Sequence, residues 1–243
     1  MNEGTKKRAL VFGGSRGIGA AIVLRLASDG YAVAFTYVSS DAKANELVGA
    51  ITARGGDVLA IKADSADPAQ ISAAVEQAVD HLGKIDVVVV NAGILRLATI
   101  DTVALDELDL MLNVNIRGVY LSIQAAVPHL NDAGRIITIG SNVAIRSGFA
   151  GSSVYQLTKG AVAAMVKGIA LDLAPRRITV NNVQPGPTET DMNVEHIDML
   201  SNILPLKRVA KPEEIAGMIS YIVRSEAGFM TGSSLTIDGG YTL

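Results

Sequence analysis

The sequence predicts an α/β protein: a single doubly wound domain over residues 1–243, with a seven-stranded parallel sheet and helices on both faces. Three observations carry this. Seven short apolar runs recur along the chain, segments with helical spacing separate them, and a glycine-rich turn follows the first run. Of the 243 residues, 49% are hydrophobic and 19% charged. A chain of this length buries roughly 70–75% of its unfolded surface. That excludes a disordered chain, which needs low hydrophobicity and high net charge.

The runs are Arg8–Phe12, Ala32–Tyr37, Val58–Ala63, Asp86–Val90, Arg135–Ile139, Ile178–Val183 and Ser234–Ile237. They are rich in apolar and β-branched residues and show little polar alternation, as strands covered on both faces do. Between them, patterns such as Ile18, Ile22, Leu26 and Val75, Val79, Leu82 recur with the 3.6-residue period of a helix. Strand and helix in alternation make βαβ units, which close only as a parallel sheet with right-handed crossovers.

Composition removes several functions. Cys is absent, so disulfides, thiolate metal sites and a cysteine nucleophile are excluded. The net charge of −3 gives no basic field to draw nucleic acid. His81, His129 and His196 are scattered, so no metal site is expected, and no GxSxG elbow is present. The longest stretch without Lys, Arg, Asp or Glu, Gly118 to Asn131, is short of the ~18 residues a spanning helix needs. The polar stretch Met1–Arg8 leads directly into Ala9–Phe12, unlike a secretory leader, so a cytoplasmic protein is expected.

The first apolar run is followed by Gly13-Gly14-Ser15-Arg16-Gly17-Ile18-Gly19, opening a helix. Glycines at such a turn let a pyrophosphate approach the backbone N–H groups of a helix start. The spacing Gly13, Gly17, Gly19 is GxxxGxG, not the commoner GxGxxG. On the first strand of a βαβ unit it predicts a Rossmann-type nucleotide site. The carboxylate that would hold an adenosine ribose 2′-OH some 20 residues on is missing. Instead the second run ends Tyr37-Val38-Ser39-Ser40, and Arg16 sits in the turn. A cation with hydroxyls suits a 2′-phosphate and predicts NADPH over NADH. Asp41 stands against this, and Arg16 has the alternative of a solvated loop charge.

Tyr155 and Lys159 are a YxxxK pair on a helical pattern, so phenol and ammonium share one face. A tyrosine titrating near 10 is a poor acid–base group at neutral pH unless a cation favours the phenolate. The spacing predicts that Lys159 lowers the Tyr155 pKa.

With these residues, Asn91-Ala92-Gly93 after the fourth run, Asn115, Ser141 after the fifth and Pro185-Gly186-Pro187-Thr188 after the sixth, the chain resembles the short-chain dehydrogenase/reductase family from Lys7 to Leu243. The resemblance implies a hydride transfer from NADPH to a ketone or aldehyde, with the cofactor carrying the hard step. It implies Tyr155 as proton donor to the carbonyl oxygen and Ser141 as its hydrogen-bond donor. Lys159 would hold the nicotinamide ribose, and Asn115 a relay water. It places Asp64 and Ser65 near adenine, Asn91, Ala92 and Gly93 against the cofactor, and Pro185, Gly186, Thr188 and Thr190 around the nicotinamide and its phosphates. It also implies a homotetramer.

Several positions depart from the family's pattern. Phe12 and Val90 replace a threonine and an asparagine, which predicts altered packing beneath the cofactor. Ser141 and Tyr155 are 14 residues apart, one more than usual, which leaves Ser147, Ser152 and Ser153 as alternatives. Residues 188–206 are expected to form a lid over the substrate. Its apolar Met192, Val194, Ile197, Met199, Leu200, Ile203 and Leu204 suit a hydrophobic carbonyl compound. Its carboxylates Glu189, Asp191, Glu195 and Asp198 disfavour an anionic one. A 3-oxoacyl carrier-protein reductase is the alternative, ranked lower because Val127–Asp132 is free of Lys and Arg, leaving only Arg135, Arg176 and Arg177. A further alternative is a regulator on the same fold. The glycine turn, Val183–Pro187 and Pro212–Met218 also resemble a family member that binds cyclic di-GMP.

Overall fold

The computed structural model describes residues 6–191 and 193–243. Met192 of the expected lid and Met1–Thr5 lie outside them. Seven strands form one parallel sheet in the order β3-β2-β1-β4-β5-β6-β7. They are β1 (Arg8–Phe12), β2 (Ala32–Tyr37), β3 (Val58–Lys62), β4 (Ile85–Val90), β5 (Leu130–Ile139), β6 (Thr179–Pro185) and β7 (Ser234–Ile237).

The helices are α1 (Gly17–Ser28), α2 (Asp41–Thr52), α3 (Pro68–Leu82), α4 (Leu105–Leu112), α5 (Val119–Ala126), α6 (Ser153–Leu173), α7 (Ile197–Ile203) and α8 (Pro212–Ile222). Successive strand side chains point to opposite faces, and the core divides accordingly. Leu10, Phe12, Ala34, Val88, Val90 and Ile136 pack on the side of α3, α5 and α6. Ala9, Val11, Val33, Phe35, Val89 and Ile137 pack on the side of α1, α2 and α8. Burial on both faces holds for the inner strands. It fails for β3 and β7, which are partly exposed because each has only one neighbour.

β5 begins five residues earlier than its apolar run. Leu130 pairs with Ile85, then the register shifts across a bulge, with Ala133 at φ 58, before Arg135 pairs with Val87. β6 runs two residues further, to Pro185 opposite Ile237. Between α4 and α5 the chain forms a single π-helical segment, Asn113–Gly118, a distortion common at functional sites. Gly118 is required there, because a Cβ would stand 2.2 Å from the Ser65 carbonyl. Among the described residues, no helix is long and apolar enough to cross a membrane.

Candidate functional site

The glycine turn joins β1 to α1 at the carboxyl edge of the sheet, where open α/β sheets bind ligands. Gly13 has φ +76, and a Cβ on it would lie 2.7 Å from the Ala92 backbone. Gly19 approaches the Gly13 carbonyl more closely still, at 2.0 Å from its Cβ position. Thr36 Oγ1 accepts a hydrogen bond from the Gly13 N–H at 3.0 Å. Asn91 Nδ2 donates to the Gly13 carbonyl at 2.7 Å. α1 opens with no side-chain cap and no acidic residue in its first turn. Its free N–H groups and dipole therefore suit an anion.

A cleft of about 460 Å³ opens over this turn. From the turn, Gly13, Ser15, Arg16, Gly17 and Ile18 line it, and Tyr37, Ser39 and Ser40 come from the end of β2. Asp64 and Ser65 follow β3, and Asn91, Ala92 and Gly93 follow β4. Thr190 closes one side, and Gly17 faces it, with a Cβ position 3.2 Å from the Thr190 methyl. The shape, glycine cradle and anion-accepting helix fit a dinucleotide.

Asp41, the carboxylate that stood against a 2′-phosphate, is taken up elsewhere. Lys62 Nζ donates to it at 3.1 Å and Tyr37 Oη at 3.0 Å, and the two, Lys62 first, hold its carboxyl below the usual carboxylate range.

Gly19, Pro185, Gly186 and Thr188 do not line the cleft, and neither do Asn115, Ser141, Tyr155 and Lys159. Gly19 is a packing position, as its contacts show. Gly186 continues the pairing with β7, its N–H donating to the Ile237 carbonyl at 2.9 Å, and Thr188 bridges to Ala210. Asp64 uses one carboxylate oxygen to cap its own turn, accepting from the Ala66 N–H at 2.8 Å.

Beyond Gly93 the structure gathers a second group. A Cβ on Gly93 would lie 3.4 Å from Asn115 Oδ1 and 3.5 Å from Lys159 Nζ. Asn115, in the π-helical segment, binds the Ile94 peptide at both ends of its amide. It accepts from the N–H at 2.9 Å and donates to the carbonyl at 2.8 Å. Its Nδ2 also reaches Thr158 Oγ1 at 3.3 Å. The side chain thus ties the loop after β4 to α6.

Lys159 Nζ lies 5.6 Å from the centre of the Tyr155 ring and donates to the Ile139 carbonyl at 3.0 Å. Ser141 starts the turn after β5, its Oγ accepting from the Val143 N–H at 3.3 Å. Ser147 and Ser152 bond to each other at 2.8 Å, whereas Ser141 is the serine that interacts with the Tyr155 phenol.

The expected depression of the phenol does not occur in the chain alone. Burial pushes Tyr155 up to about 12, and the Ser141 hydrogen bond offsets only part of this. Burial likewise pulls Lys159 down to about 8. Spacing puts cation and phenol on one face, but Lys159 donates to a strand carbonyl, and desolvation dominates the phenol.

Several residues of the site escaped the sequence reading. Thr36 holds the glycine turn, Arg96 lines the cleft, and Asp191 lines it beside Arg16. Asn142 is buried, its Oδ1 accepting from the Ser141 hydroxyl at 3.4 Å, and among the described residues its Nδ2 has no hydrogen-bond partner. Only Thr36 carried a signal, as the polar residue within an apolar strand. Among the described residues, no group of three or more His, Asp or Glu gathers as metal ligands.

Sheet order and cleft define a protein of the Rossmann-type α/β class. The chain belongs to the short-chain dehydrogenase/reductase family. A family model described as enoyl-(acyl carrier protein) reductase matches residues 13–242. A short-chain dehydrogenase/reductase from Serratia marcescens is 53% identical, with a TM-score of 0.95 over 98% of each chain. A Burkholderia cenocepacia short-chain dehydrogenase solved in complex with NADP is 44% identical, with a TM-score of 0.95 over 98% of each chain. The cyclic-di-GMP-binding biofilm dispersal mediator protein of Escherichia coli K12 is 40% identical over 99% of each chain.

Proposed function

We propose that the protein is an NADPH-dependent reductase of a ketone or aldehyde, formed by one Rossmann-type domain with a lid at residues 188–206. The observation that carries this reading is a chain of contacts: Lys159 stands beside Gly93, which lines the cleft, its ammonium lies 5.6 Å from the Tyr155 ring, and Ser141 interacts with the Tyr155 phenol. The bound cofactor supplies hydride from its nicotinamide. The chain supplies position and protons.

The α1 N-terminus and the Gly13–Gly19 turn hold the pyrophosphate, Arg16, Ser39 and Ser40 the 2′-phosphate, and Asp64 and Ser65 the adenine side. Lys159, which stands beside Gly93, would hold the nicotinamide ribose. Ser141 donates to the substrate oxygen, and Tyr155 Oη delivers the proton to it. A phenol held near 12 keeps its proton until an oxyanion of comparable basicity develops beside it. Asn115 acts by fixing the Ile94 loop and α6, its side chain being engaged at both ends. Val194, Met199 and Ile203 of the lid are exposed, which supports an apolar substrate.

The test is NADPH consumption against aryl ketones, keto esters and 3-oxoacyl thioesters, with NADH in parallel. Turnover of ketones with NADPH supports the reading; cofactor binding without turnover of any of them opposes it. Arg16→Ala is expected to weaken NADPH far more than NADH. Equal weakening removes Arg16 from the 2′-phosphate site.

The carrier-protein reading is further weakened by Arg176. Its guanidinium is tied to Asp132 at 3.0 Å and to the Val127 and Leu130 carbonyls, so it does not offer a free cation to an acidic partner. The E. coli relative keeps a second reading in view, a cyclic-di-GMP-binding regulator. Tight cyclic-di-GMP binding with no ketone turnover would establish it. The exposed Ile100, Leu105, Leu171 and Phe229 support a homo-oligomer, expected as a tetramer by light scattering.

A further inference from the structure

We infer that Asp191 is an internal counter-ion at the phosphate end of the cleft and that Lys43 is a second cation for the cofactor's 2′-phosphate. The inference rests on the NADPH reading and adds to it a link between the lid and cofactor selectivity. Asp191 Oδ2 lies 2.7 Å from Lys43 Nζ and 3.9 Å from Arg16 Nη1. Arg16 belongs to the glycine turn, Lys43 to the first turn of α2, and Asp191 to the segment after β6. One carboxylate oxygen therefore joins three elements across the outer end of the cleft. Arg16, Ser39, Ser40 and Asp191 line that same end.

The chemistry is that of an anion site occupied by a weaker anion. Two cations converge on one carboxylate oxygen, and the Lys43 hydrogen bond is the first cause holding that carboxyl below its usual range. A carboxylate brings one negative charge, whereas a phosphate monoester brings close to two and three acceptor oxygens. Asp41 does not compete for these cations, because Tyr37 and Lys62 engage it. Arg16, Lys43 and Asp191 are each about half exposed, so their pairing is weak and exchanges readily. A 2′-phosphate entering between Ser39, Ser40 and Arg16 displaces Asp191 from both cations. A cofactor without the phosphate leaves the carboxylate where it is.

Calorimetry on the full chain tests this, with adenosine 2′,5′-bisphosphate and adenosine 5′-phosphate as probes. Wild type, Lys43→Ala and Asp191→Asn are each measured at low and high salt. The wild type is expected to prefer the 2′-phosphorylated probe. Lys43→Ala reduces that preference by about threefold, and Asp191→Asn raises it by about threefold, the size of one exposed ion pair. Both effects shrink at high salt. Thermal unfolding serves as the folding control, and the effects are read in the ratio of the two probes, because Asp191 lines the cleft and its charge acts on both. Equal wild-type affinity for the two probes overturns the NADPH reading. A wild-type preference that either variant leaves unchanged overturns the counter-ion inference while that reading stands.

Discussion

Lys159 Nζ donates to the Ile139 carbonyl at 3.0 Å, so the last residue of β5 holds the cation of α6. Ser141 follows Ile139 by two residues, and Tyr155 precedes Lys159 by one helical turn. This bond is therefore one direct tie between the strand end carrying the serine and the helix carrying the phenol.

Tyr155→Phe is expected to abolish turnover while leaving NADPH binding within a few-fold. The ring and its packing remain, and the hydroxyl that carries the proton and meets Ser141 is lost. Steady-state rates beside a fluorescence binding titration check this. Near-wild-type turnover excludes the phenol as the proton donor.

Burial holds the Tyr155 phenol at about 12 in the free chain. Tyrosinate absorbance of wild type minus Tyr155→Phe should accordingly be flat from pH 8 to about 10.5, beyond the ordinary phenol pKa of about 10. A difference signal rising near pH 10 contradicts the desolvation argument.

Lys159 is pulled down to about 8 in the folded chain, against about 10.4 unfolded. Below pH 8 both states are protonated and the buried charge carries its full cost. As pH rises from 8 toward 10.4 the unfolded state binds more protons, so stability rises with pH. Lys159→Met removes this titration. Urea unfolding should show the variant more stable near pH 7 by on the order of 1–3 kcal/mol, with the gap closing by pH 10. A gap independent of pH counts against the assignment.

Two glycine substitutions should separate cofactor binding from stability. Gly19→Ala drives a methyl to 2.0 Å from the Gly13 carbonyl and 2.6 Å from Asn91 Nδ2, so the turn must open and cofactor affinity falls at least tenfold, roughly 1.4 kcal/mol. Gly49→Ala lies within α2, where among the described residues nothing beyond its own helix backbone and chain neighbours comes within 4 Å of the added methyl, and should stabilise by about 0.5–1 kcal/mol with affinity unchanged. Binding titrations and thermal unfolding of both variants measure the contrast.

Much of the site was legible in the sequence because its residues sit in local patterns. The glycine spacing 13, 17 and 19 marks a turn at a strand end, and the spacing 155 to 159 marks one helix face. Lys43 and Asp191 were not legible as a pair. They are 148 residues apart and each, read locally, is an exposed charge. Asn115 gave its identity but not its contacts, since the Ile94 peptide reaches it only through the loop after β4.

By itself the sequence determined the strand positions, the sheet type and the nucleotide turn, since these follow from side-chain period and glycine spacing within a few residues. The tertiary structure alone decided the electrostatics. Desolvation raises Tyr155 and lowers Lys159, Lys62 neutralises Asp41, and Asp191 faces Arg16 and Lys43. Burial and through-space distance set these interactions, and neither can be read from neighbours along a chain.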